Sequence, residues 1–236
     1  MIDLHTHILP QIDDGPDSCE TSIEMLRQQY AMGVDTVALT PHYYYKKESI
    51  GDFLQRRSKS CEMLYEAIEK RPSDAPQLPK LMLGAEVAWT LGLRDADDLD
   101  RLCYEGTKFM LLELPFTAWD NEMLRQICDL QNMCGVTPVI AHFERYFPFQ
   151  SQKKLREVQE LGLPIQIGSD SFLQFGIRGR MMKMLKYNQA HIVASDCHNL
   201  EGRKPNLLSA VQIIEKKLGT QTVQLLDKQA HDLLRL

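Results

Sequence analysis

Met1-Ile2-Asp3-Leu4-His5-Thr6-His7 is the stretch on which the fold turns. Asp3, His5 and His7 alternate with Ile2, Leu4 and Thr6. Alternate side chains of a β-strand share one face, so two imidazoles leave the end of this strand side by side. Neutral histidine nitrogens paired in this way suit a divalent metal ion. Two ordinary histidines would fit these seven residues equally well; the rest of the sequence decides.

Outward from there, residues 8–16 are turn-rich, and Asp17 or Ser18 caps a helix. Asp17 and Glu20 stand at capping-box spacing, and Gly33 closes the helix. Short apolar runs follow at 34–40, 81–86, 109–114, 137–142, 164–168 and 190–195. Helical patterns separate them at about 51–71, 95–103, 119–134, 151–161 and 177–187, and two more finish the chain at about 205–218 and 220–234. Nearly continuous apolar strands alternating with helices predict a parallel sheet covered by helices. No glycine-rich phosphate loop follows the first strand, so a seven-stranded β/α barrel is expected rather than an open doubly wound sheet.

The chain has 236 residues, 44% hydrophobic and 25% charged, and is expected to form one domain over 1–236. A net charge of -5 gives no basic excess for nucleic acid or an anionic membrane. No signal-type leader and no long apolar span is evident, so neither secretion nor membrane insertion is expected. Six cysteines form no C-x-x-C pair and read as reduced thiols of a cytoplasmic protein.

The polar residues are placed unevenly. His5, His7, His42, Glu86, Glu113, His142, Asp196 and His198 sit at or just beyond the C-terminal ends of expected strands, where a β/α barrel assembles its active site. Only His191 and His231 fall elsewhere. Histidine and carboxylate donors without cysteine suit manganese, zinc or iron. They are too many for one tetrahedral ion, so two or three are expected, with Glu86 able to bridge. Such sites activate water and clamp a substrate oxygen, which makes the reaction a hydrolysis. Arg145, three residues past His142, and Arg203, five past His198, add guanidinium groups that pair two phosphate oxygens at once; a phosphoester is therefore the first choice of substrate.

His5-x-His7, Thr40-Pro41-His42, Gly84-Ala85-Glu86, Ala141-His142-Phe143-Glu144-Arg145-Tyr146 and Ser195-Asp196-Cys197-His198-Asn199 resemble the motifs of the polymerase-and-histidinol-phosphatase (PHP) superfamily. Within it, the Asp13-Asp14-Gly15-Pro16 loop and Glu144-Arg145-Tyr146 resemble the bacterial metal-dependent protein-tyrosine phosphatases linked to capsule and exopolysaccharide synthesis. The resemblance implies a distorted (β/α)7 barrel with a trinuclear centre, usually of Mn2+, with Zn2+, Fe2+ or Co2+ as other occupants. It implies one ion on His5, His7, Glu86 and Asp196, a second on Glu86, Glu113 and His142, and a third on His42, His198 and Asp14. Arg145 and Arg203 would bind phosphate, and the substrate would be a phosphotyrosine protein such as a bacterial tyrosine autokinase. Gly168 replaces an asparagine more usual after the sixth strand, and the run Tyr43-Tyr44-Tyr45-Lys46-Lys47 is peculiar to this chain. The alternatives are a PHP-type phosphoesterase for a small metabolite such as histidinol phosphate, an exonuclease, and a non-catalytic metal-binding regulator.

Cys197 and Arg203 also stand at the Cys-x5-Arg spacing of thiol-dependent phosphatases. Glu201 inside that loop would repel phosphate, and Asp196 beside the cysteine would raise the thiol pKa. The metal reading is therefore preferred.

Overall fold

The computed structural model describes residues 1–235. The elements are, in order, β1 (Ile2–Thr6), α1 (Cys19–Ala31), β2 (Thr36–Leu39), β3 (His42–Tyr43), α2 (Ile50–Glu69), β4 (Lys80–Leu83), β5 (Glu86–Ala88), β6 (Phe109–Glu113), α3 (Asn121–Asn132), β7 (Thr137–Ile140), α4 (Gln152–Glu160), β8 (Gln166–Gly168), α5 (Asp170–Leu173), α6 (Phe175–Lys186), β9 (Ile192–Ala194), α7 (Leu207–Leu218) and α8 (Thr220–Leu234). The helices begin where short polar side chains accept from an otherwise unpaired amide. Ser49, Asp120 and Ser151 cap α2, α3 and α4 in this way. For α1 the cap is Ser18, which accepts from the amide of Thr21, so Asp17 lies one residue outside and its capping box with Glu20 is not formed. The helix expected over 95–103 is instead two 3-10 turns, Leu93–Asp95 and Leu99–Leu102. Asp98, at φ 62°, starts the second turn in the left-handed region and breaks the run.

All paired strands are parallel. They form three hydrogen-bonded sheets, β1-β2-β4, β3-β5-β6-β7 and β8-β9. Two of the strand paths are interrupted. The second, expected to end at Thr40, resumes beyond Thr40-Pro41 as β3, and the third divides at Gly84-Ala85 into β4 and β5. Leu39 pairs with Leu83 and His42 with Glu86, the same offset on both sides of the break, so the two strands run on together through it. Single bridges join the remaining edges: Ile140 to Ile165, and Thr6 to Cys197. The seven expected strand paths thus follow one another in a ring whose ladder is interrupted, which is the distortion expected of the barrel.

Two apolar clusters hold this ring. The larger lies between strands and helices and includes Met25, Leu39, Phe53, Leu64, Val87, Leu112, Ile127, Ile167 and Ile214. The smaller gathers Ile2, Leu4, Ala38, Met82, Leu111, Val139 and Ile192 from six different strands and packs them against Ala230, Leu233 and Leu234 of α8. Side chains from strands around the ring meet only in its interior, and α8 plugs one end. The other end is left to polar groups. Among the described residues, no helix is long and apolar enough to cross a membrane. All six cysteines are free.

Candidate metal centre

Every expected ligand reaches the open end of the ring. His5 is inside β1 and His7 follows it; His42 opens β3, Glu86 opens β5 and Glu113 ends β6. His142 follows β7 after Ala141, and Asp196 and His198 follow β9. The pairing register shifts between Asp3 and Thr6 of β1. Asp3 does not join the centre: its carboxylate accepts from Gln29 Nε2 of α1 at 2.6 Å and from the Ser195 amide at 2.9 Å.

Glu86 is the hub. Its Oε2 lies 3.4 Å from His5 Nε2, 3.2 Å from His7 Nε2 and 3.0 Å from His42 Nδ1. Its Oε1 lies 2.8 Å from His142 Nε2, which is itself 3.4 Å from Glu113 Oε1. Asp196 Oδ1 stands 3.3 Å from His5 Nε2 and 3.4 Å from His7 Nε2. Nearer the rim, Asp14 Oδ1 stands 3.4 Å from His42 Nε2 and 3.2 Å from His198 Nε2. Among the described residues three groups have donor atoms close enough to share an ion: His5 with His7 and Asp196; His42 with Glu86 and Glu113; and His7 with Asp14, His42 and His198. Compared with the expected assignment, His42 falls closer to Glu86 and Glu113, and His7 leans toward the rim group.

Two residues that sequence reading missed set the proton positions. Asp13 Oδ2 accepts from His7 Nδ1 at 2.7 Å, since a carboxylate can only accept. Gln166 Oε1 accepts from the His142 amide at 2.7 Å, which marks that atom as the oxygen, and also from His5 Nδ1 at 3.2 Å. In the neutral imidazoles both Nε2 atoms are thereby left with lone pairs, and they face each other at 3.2 Å. Glu86 Oε2 and Asp196 Oδ1 each stand 3.2–3.4 Å from both of these nitrogens. Donors about 2.1 Å from a tetrahedral ion lie about 3.4 Å apart, so the spacing fits a cation. The buried Asp196 Oδ1, His42 Nδ1 and His198 Nε2 make no hydrogen bond.

The electrostatics agree. Burial alone would lower the His7 pKa, but the hydrogen bond to Asp13 and the Glu86 carboxylate push it up to about 10. Burial likewise opposes protonation of His142, yet Glu113 and Glu86 push it up to about 9. Burial works against the Glu86 carboxylate, and His5, His142 and His42 still hold it well below the usual range. A site that grips a proton this firmly attracts positive charge, and a divalent ion would displace that proton on entering. His142 at φ 29° and Asp196 at φ 52° hold left-handed backbone, the kind of local strain that persists where the surroundings impose it.

Arg145 and Arg203 converge on the opposite oxygen of Asp196. Arg145 Nη2 donates to Asp196 Oδ2, and Arg203 Nη2 donates to the same atom at 2.6 Å. Arg203 Nη1 also lies 3.6 Å from Asp14 Oδ2. Sequence reading placed both arginines on phosphate; here each still has N–H groups left over. Cys197 is fully buried, Gln29 Nε2 approaches its Sγ at 3.6 Å, and burial pushes the thiol pKa up strongly. A buried neutral thiol is no nucleophile, so the Cys-x5-Arg spacing is a coincidence.

Fold and centre together define a class: a β/α barrel metallohydrolase whose His and carboxylate donors crown the open end of parallel strands. Within that class the chain belongs to the CpsB/CapC family of capsular polysaccharide synthesis, whose profile matches residues 1–235. It is 34% identical to the tyrosine-protein phosphatase CpsB of Streptococcus pneumoniae, over 94% of this chain and 92% of that protein. It is 32% identical to the tyrosine-protein phosphatase YwqE of Bacillus subtilis, over 100% of this chain and 92% of that one. The crystal structures of YwqE and CpsB, metal-dependent tyrosine phosphatases, include a chain that superimposes with a TM-score of 0.79 at 28% identity, covering 100% of this chain and 94% of that chain. A phosphotriesterase homology protein of Escherichia coli, 13% identical with a TM-score of 0.57, shares the fold alone.

Proposed function

We propose that this chain is a cytoplasmic, metal-dependent tyrosine-protein phosphatase, a single catalytic domain acting on a phosphotyrosine protein such as a bacterial tyrosine autokinase of capsule or exopolysaccharide synthesis. The observation that carries this reading is that Glu86 Oε2 and Asp196 Oδ1 each lie within 3.4 Å of both His5 Nε2 and His7 Nε2, whose other ring nitrogens are held by Gln166 and Asp13. His5, His7, Glu86 and Asp196 would hold one ion, Glu86, Glu113 and His142 a second, and His42, His198 and Asp14 a third, with manganese first among the candidates. When bound, such ions lower the pKa of water and polarise phosphoryl oxygens.

The chain's own groups do the rest. Asp13 and Gln166 hold the two imidazoles in the tautomers that present Nε2. Arg145 and Arg203 stand together on Asp196 at the rim, where their remaining N–H groups offer bidentate contact to phosphoryl oxygens as charge builds there. The tyrosine leaving group has a pKa of about 10 and departs without a dedicated general acid. The test is hydrolysis of a phosphotyrosine peptide together with elemental analysis. About three ions per chain, loss of turnover in chelator and its return with manganese are expected. Full turnover in excess chelator, or a large preference for a small metabolite such as histidinol phosphate, would overturn the reading.

A further inference from the structure

The aromatic and basic run at residues 43–47 is not used by the metal centre, yet the structure sets one of its rings against it. Tyr43 is buried against Phe53, with ring centroids 5.1 Å apart, and anchors the loop. The Tyr44 carbonyl accepts from the amide of Lys47 at 2.9 Å and closes a turn. Arg56 then pins the loop, donating to Glu48 at 2.6 Å and to the Ile12 carbonyl at 2.9 Å. Tyr44 is thereby held at the centre: its ring centroid lies 5.6 Å from that of His42, and Lys47 Nζ braces it at 3.8 Å.

A second ring stands on the other side of Glu86. Phe116 stacks on His142 at 6.0 Å and 16°, and Tyr146 and Phe149 support it at 5.3 and 5.8 Å. It is nonetheless 39% exposed. His42 touches Glu86 Oε2 and His142 touches Glu86 Oε1, so Tyr44 and Phe116 each rest on a histidine at one end of the same carboxylate. A half-exposed phenyl ring beside a highly charged centre supplies no ligand atom to a divalent ion. It does offer a face to a flat apolar group attached to the phosphate.

We infer that Tyr44 and Phe116 form an aryl-binding slot that seats the phenyl ring of the substrate over the metal centre and so selects aryl over alkyl phosphoesters. This rests on the tyrosine-phosphatase reading above. Aromatic pairs of this kind favour binding by about three- to tenfold per ring. An alkyl phosphate gains none of this.

The test uses two non-hydrolysable probes, phenylphosphonate and methylphosphonate, as inhibitors of the metal-loaded enzyme. In Tyr44→Ala and in Phe116→Ala the inhibition constant of phenylphosphonate is expected to rise about three- to tenfold, and further in the double variant, while that of methylphosphonate stays within about twofold. Tyr44→Phe keeps the ring and is expected to retain the wild-type ratio. Metal content is measured on every variant. An equal weakening of both probes would mean general loosening of the site and would overturn the slot, as would an unchanged ratio. If the wild type prefers phenylphosphonate through these rings but does not turn over a phosphotyrosine peptide, the slot stands and the tyrosine-phosphatase reading fails. If it turns over the peptide while the variants keep the wild-type ratio, only the slot fails.

Discussion

Arg145 separates the two chemistries at the level of single residues. Its guanidinium touches Asp196 and no histidine or second carboxylate among the described ion pairs, so it can be removed without removing a metal donor. Arg145→Ala is expected to lower kcat/KM on a phosphotyrosine peptide by about 10²–10³ through loss of a transition-state contact, with metal content unchanged. Cys197→Ser is expected to stay within about tenfold of the wild type. A dead Cys197→Ser enzyme with its metals still bound would reinstate the thiolate. Asp13 tests the other half of the site. It holds the His7 tautomer and also accepts from the His42 amide at 3.0 Å, so it serves two expected ligands at once. Asp13→Ala is expected to weaken metal binding by about 10–100-fold, read by competition with a chelating dye, while the fold persists.

The elements explain what the sequence could and could not reveal. Nearly continuous apolar runs and the types of residue at their ends made the seven strand paths legible, together with the His and carboxylate side chains that gather at one end of the ring. The strand breaks were not, because each is a local interruption of two residues, Thr40-Pro41 and Gly84-Ala85, across which the two chains stay hydrogen-bonded to each other. Asp13 was hidden among turn residues, where Asp is common for reasons of backbone alone. Gln166 was hidden because a neutral side chain inside a strand looks like an accident of composition. The paired hold of Arg145 and Arg203 on Asp196 depends on two loops distant in sequence meeting, which no local pattern encodes. The loop after β1 also carries its own constraint: a Cβ on Gly15 would stand 2.3 Å from the His7 carbonyl oxygen. Gly15→Ala therefore has to displace backbone, and with it Asp13, whose Oδ1 accepts from the Gly15 amide at 3.0 Å. The expected outcome is reduced metal content and activity with helix content preserved, checked by elemental analysis beside circular dichroism.

For the molecule as a whole, acid acts away from the centre as well as on it. His191 bridges two strands: its Nδ1 accepts from the Ile165 amide at 3.1 Å, and burial lowers its pKa. A histidine with a depressed folded pKa contributes stability above its unfolded value of about 6.5, and that contribution is lost as pH falls below it. The difference in urea midpoint between the wild type and His191→Leu is therefore expected to shrink on going from pH 7.5 to pH 5. A difference that grows on acidification would mean that His191 is charged in the fold.

The bridge between Thr6 and Cys197 gives the chain a temporal order. His5 and His7 are made about 190 residues before Asp196 and His198, their partners across that seam. Contacts this remote in sequence form slowly, because a long loop must close before they are rewarded. During synthesis these histidines precede their partners by that whole stretch, and the centre is assembled only after it has been made. Metal loading of the complete site then follows the making of residue 198, and a chain stalled before residue 196 would carry the His5-x-His7 motif without the ability to complete the site.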